Sequence, residues 1–162
     1  MKAFFYLVLL VAGVFVWLTS ENLPAVVASH FGAGGAANGF SDKGTYTMLM
    51  LALVVGMPLL FAASTLLVRA LPPELINMPN KKYWLAPERR AATIDALASL
   101  LLQFGVVVAV FLCFMHWLVV RANSLQPPTL PESWFFTGLA VFGAATVIWV
   151  LLLYRRFGRG AH

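Results

Sequence analysis

The chain alternates between long apolar runs and short polar links. A membrane span needs about 20 predominantly apolar residues, at about 1.5 Å of rise each. Four segments meet that length: residues 3–19, 45–69, 87–121 and 134–154. Their apolar stretches are continuous rather than alternating, which excludes a transmembrane barrel. Backbone groups in lipid have no water to bond to, so each span closes its own hydrogen bonds as a helix. The pattern predicts an all-α integral membrane protein, a single membrane domain over residues 1–162 with four transmembrane helices.

Local signals refine the spans. Met57-Pro58 interrupts the second, because proline lacks an N–H and clashes with the preceding turn; a kink is expected near Gly56. Ala52 with Gly56, and Ala140 with Ala144, place small residues four apart, a spacing that permits close helix contact. Prolines between Pro72 and Pro87 keep that connection from being one helix. Ala86-Pro87-Glu88 reads as a helix start, with proline in the first turn and an acid near the N-terminal dipole. A helix from Pro87 to Arg121 is about 50 Å long, against a hydrocarbon core of about 30 Å. Its first turns therefore project past the core.

Composition adds the solvent and the orientation. Hydrophobic residues make up 61% of the chain and charged residues 10%; a soluble domain carries about a quarter charged. Nine of the 11 cations precede the first span, join the second to the third, or follow the fourth. Lys43 and Arg121 fall on the other side. Positive residues collect in the cytoplasm, so both termini are expected inside and the first loop outside. The net charge of +5 is read as this orientation signal and not as a nucleic-acid patch. The basic tail after Tyr154 is expected to touch anionic headgroups. Lys2 and the apolar run behind it resemble a secretory leader, with Val26-Val27-Ala28 as a cleavage site. Cleavage there would cut into the loop, so retention of the first helix is expected. The single Cys113 excludes an intramolecular disulfide.

The segment from Leu23 to Lys43 is neither a span nor a charged tail. Six apolar side chains between Leu23 and Phe31 are not all expected to face water, and Phe31 is the expected plug at the helix ends. Gly32-Ala33-Gly34-Gly35 loosely matches a dinucleotide fingerprint but follows no βαβ strand, so that reading is rejected. Asn38-Gly39 reads as a turn. On the third span, Glu88, Asp95, Ser99, Gln103, Cys113, His116 and Arg121 fall in a sector of about 140° at 100° per residue. Polar groups in a span face protein rather than lipid, so this sector is expected inside the bundle. His116 near the outer end and His30 in the loop are candidates to meet. With no carboxylate nearby they form a poor zinc or proton-transfer set, so no metal or other cofactor is assigned. No catalytic motif is present, and the chain is expected not to be an enzyme.

Pro24, His30-Phe31, the following glycines, Gly39-Phe40 and Lys43 resemble the motif of a bacterial membrane family of unknown function. Its domain is shared with Sdp-type toxin immunity proteins. Asn77, Asn80, Tyr83, Trp84 and Arg89 in the inner connection, and Ala122-Asn123 after the third span, are similar to what single-copy members carry. The resemblance implies a multi-pass protein of the bacterial inner membrane with an extracytoplasmic motif loop.

These readings converge on a non-enzymatic protein embedded in the bilayer. Its outer loop, with His30, Phe31, Asn38, Phe40 and Lys43, and with Gln103 and His116 behind it, is expected to bind a peptide, lipid or membrane-protein partner. Such a protein works as an immunity, signalling or accessory subunit, in a homo- or hetero-oligomer. The alternative is a small transporter or metal-handling protein using His30 and His116.

Overall fold

The computed structural model describes Met1–Gly158. The end of the basic tail, residues 159–162, lies outside the described residues. The chain forms α1 (Lys2–Ser20), β1 (Val26–Phe31), β2 (Ala37–Asp42), α2 (Lys43–Ala70), α3 (Lys81–Trp84), α4 (Pro87–Asn123) and α5 (Glu132–Phe157). Four of these helices, α1, α2, α4 and α5, are long and apolar enough to cross a membrane. They make this a multi-pass membrane protein. Successive spans reverse direction, so β1, β2 and the α4–α5 link share one end. The Leu71–Ala86 connection and Phe157 share the other.

The helix boundaries follow local chemistry. α2 begins two residues before its apolar run because Asp42 caps it: its carboxylate accepts the Thr45 N–H at 2.8 Å. α4 begins at Pro87 with Glu88 in its first turn. The irregularity expected before Pro58 takes the form of one π-helical turn over Ala52–Gly56. A wider turn accommodates the N–H that proline lacks.

α4 is the hub, touching α1, α2, α5 and β1. One apolar cluster, toward the hairpin end, joins Val16 and Leu23 to Val27, Tyr46 and Val54. A second, deeper one joins Phe5 and Leu9 to Leu102 and Ala109. Gly105 permits the central crossing. A Cβ there would lie 2.9 Å from the Phe5 ring and 3.5 Å from the Pro58 carbonyl oxygen. The small residues expected to mediate contact do not do so: Gly56 faces open space, and Ala52, Ala140 and Ala144 are exposed. In α5 no residue of the apolar window is buried, and its contact with the bundle is mainly with α4.

At the end opposite the hairpin, the connection closes α5. The last carbonyls of a helix have no intrahelical donor. Asn80, held at φ 51°, donates from its amide to the Phe157 and Gly158 carbonyls at 3.2 and 2.8 Å. Trp84 Nε1 donates to the same Phe157 carbonyl at 2.9 Å. The Arg89 guanidinium lies 4.2 Å from the Tyr83 ring centroid, a cation–π contact. Asn77 stays exposed.

Candidate functional site: an outer hairpin clamped to the bundle

The segment expected to be an irregular loop is a two-stranded antiparallel sheet, which corrects the all-α reading. Val27 pairs with Ser41 and Ala28 with Phe40, and bulges interrupt the register on either side of His30. The turn is not at Asn38-Gly39, both of which lie in β2. It sits at Gly34 and Gly35, with φ of 79° and 75°, where side chains are strained. Contacts from the α4–α5 link and the first residue of α5 hold that position. Leu130 N–H donates to the Gly35 carbonyl at 2.8 Å, and the Glu132 carboxylate accepts the Gly34 N–H at 2.7 Å.

One side chain fixes the hairpin to α4. Asn123 accepts the Ala28 N–H at 2.8 Å and donates to the Ala28 carbonyl at 2.9 Å. Its amide thus stands in for a neighbouring strand on the edge of β1. It also donates to Val119 O at 2.9 Å, which sets the rotamer. Leu23 and Val27 plug the helix ends in place of the expected Phe31, which is half-buried.

Below the hairpin lies a closed polar chain. The Thr19 hydroxyl donates to the Phe15 carbonyl at 2.6 Å. Its oxygen is then free to accept from His116 Nε2–H at 2.8 Å. Nδ1 of the same ring accepts the Tyr46 O–H at 3.0 Å. This assignment gives every member a partner and makes His116 a neutral Nε2–H tautomer. The chain ties α1, α2 and α4 together at one level. It ends on the Phe15 backbone carbonyl.

His30 does not reach it. His30 is exposed, and its Nδ1–H donates to the Asn38 side-chain oxygen at 2.6 Å. Neither ring nitrogen of His116 is bonded to it, since both are taken by Thr19 and Tyr46. The pairing of His30 with His116 therefore has no geometry behind it. No three His, Cys, Asp or Glu side chains gather among the described residues. Cys113 is half-buried with a free thiol.

The inward polar sector on α4 holds only in part. His116 is buried, Ser99 and Cys113 are half-buried, and Asp95 and Gln103 are exposed. Asp95 pairs with Arg69 near the end opposite the hairpin. Gln103 keeps only a 3.4 Å contact to Ser99, one turn away. The wheel treats one face as inside along the whole helix. Here α4 is covered by different partners at different depths, so the inside moves around it.

The outer face of the sheet follows strand periodicity. Asn38, Phe40 and Asp42 are exposed on β2, while Ala37, Gly39 and Ser41 are half-buried. Val26 and His30 are the exposed residues of β1. Lys43, a predicted binding residue of the loop, is half-buried; its Nζ donates to the Glu21 carbonyl at 2.9 Å and lies 3.6 Å from the Glu21 carboxylate. The Thr45 hydroxyl and amide hold the Asp42 carboxyl below its usual pKa. Thr19, Tyr46, Glu132 and Thr129, which bridges to Ala36, were not singled out by sequence.

The helices and the clamped hairpin define the class: a multi-pass membrane protein presenting a small sheet at one end of its bundle. Residues 4–56 match the family model described as a domain of unknown function, DUF1648. That match covers α1, the hairpin and the first half of α2. No curated protein and no solved structure matches the chain.

Proposed function

We propose that the hairpin is a preformed recognition surface for a polypeptide partner, either a peptide or another membrane protein, and that the protein is non-enzymatic. One observation carries this reading. Asn123 holds Ala28 at both backbone groups, while His30, Asn38 and Phe40 remain exposed beside one another. A rigid apolar and polar face loses little entropy on binding. Asn123 occupies the β1 edge, while among the described residues the β2 strand has no second partner strand and only Ala36, just before it, is bridged, by Thr129; that leaves the β2 edge for an added strand. The nine-to-two distribution of cations supports a hairpin outside the bacterial inner membrane, with both termini inside. The likeness to Sdp-type immunity proteins supports an immunity, signalling or accessory role.

The test is co-purification from native membranes. Wild type is expected to bring down a partner that His30→Ala/Asn38→Ala/Phe40→Ser loses by about tenfold or more, as when interface anchors are removed. The melting temperature of the triple variant should match wild type, because these side chains are exposed. Full partner recovery by the triple variant would refute the proposal.

A further inference from the structure

A pocket of about 250 Å³ opens at the end opposite the hairpin, between α2, α4, α5 and the Leu71–Pro79 connection. Its walls come from Leu97, Leu101, Trp149, Leu153 and Phe157. The one polar group among those walls, Trp149 Nε1–H, is spent on the Leu100 carbonyl at 2.9 Å. Water therefore has little to bond to inside, and an apolar occupant is favoured. The pocket arises because α5 touches the bundle mainly through α4.

Its mouth has the opposite character. Asn77 lines it, is exposed, and makes no side-chain hydrogen bond among the described residues. Lys81 bonds the Glu74 carbonyl at 3.0 Å, and Glu74 adjoins the lining residue Leu75 in the chain. The Arg156 guanidinium lies 5.9 Å from the ring of Phe157, itself a wall residue. Lys82 and Arg155, the chain neighbours of Lys81 and Arg156, are exposed, and Glu74 is the one acid in the connection. An apolar chamber reaching the depth of Leu97, beneath a cationic rim at the interface, is complementary to an amphiphile with an anionic head.

We infer that this pocket seats one acyl chain of an anionic phospholipid, its phosphate held by Asn77, Lys81 and Arg156. The bound lipid fills the gap that α5 leaves. This inference is independent of what the hairpin binds.

The experiment is native mass spectrometry of the full chain released from bilayers of equal phosphatidylglycerol and phosphatidylcholine. Wild type is expected to retain one phosphatidylglycerol, preferred by roughly thirtyfold, in line with two interfacial cations. Lys81→Gln/Arg156→Gln should bring the two lipids close to parity while leaving the melting temperature in detergent unchanged. Leu101→Trp, which fills the pocket without altering charge, should retain neither lipid. Inorganic phosphate, with the same anionic group and no chain, should leave the lipid in place. Equal retention by wild type, a preference surviving the double charge variant, or release by phosphate would each overturn the inference.

Discussion

Asn123→Ala is expected to free the hairpin from α4 and to destabilise it by about 2–3 kcal/mol, the range for buried backbone groups left without partners. Ala28 is fully buried, so its N–H and carbonyl have no water to turn to. Both now bond to one amide. Asn123→Asp keeps the acceptor for Ala28 N–H but loses the donor to Ala28 O, and it sets a carboxylate against two carbonyls. It should therefore fail to rescue. Hydrogen exchange checks this directly. Amides of residues 26–42 should exchange faster in Asn123→Ala, with α1, α2 and α4 unchanged. Exchange equal to wild type would mean that the strand pairing and the Leu130 contact hold the hairpin by themselves.

His116→Leu is expected to destabilise the helix bundle by about 1–2 kcal/mol, and Tyr46→Phe should recover most of that loss. Hydrogen bonds at membrane depth average about 0.6 kcal/mol and reach about 1.7. Losing His116 costs more than the mean because it strands the Tyr46 hydroxyl in a residue that is 5% exposed. Thr19 is not stranded, since its hydroxyl already donates to Phe15 O. The double variant removes both ends of the broken bond and keeps the apolar packing. Thermal unfolding of the two single variants and the double in detergent gives the coupling. Simple additivity would show that the polar chain is incidental to helix packing.

Much of this architecture was legible in the sequence because lipid imposes a simple rule. Continuous apolar runs must be helices, and Ala86-Pro87-Glu88 marks a helix start by its own chemistry. The hairpin was hidden for two reasons. Bulges at His30 break the alternation that would have marked β1. Asn38-Gly39 gave a turn signal that the docking of Gly35 on Leu130 overrides. The motif residues His30, Asn38 and Phe40 were visible as a cluster; all three side chains are exposed, and His30 bonds Asn38 across a bulge. Their supports were not visible. Asn123 lies 95 residues from Ala28, Tyr46 lies 70 from His116, and nothing local marks either pairing. Asn80 and Trp84 stood out through the resemblance alone; in the fold they close the end of α5.

The most direct measurement is photo-crosslinking in intact cells from a benzophenone amino acid placed at Phe40, with Gln103 as the control. Phe40 is 59% exposed on the hairpin, and Gln103 is exposed within the α4 span. A recognition surface predicts a discrete protein adduct from Phe40 that is absent from Gln103. No protein adduct from Phe40, or the same adducts from both positions, would contradict it.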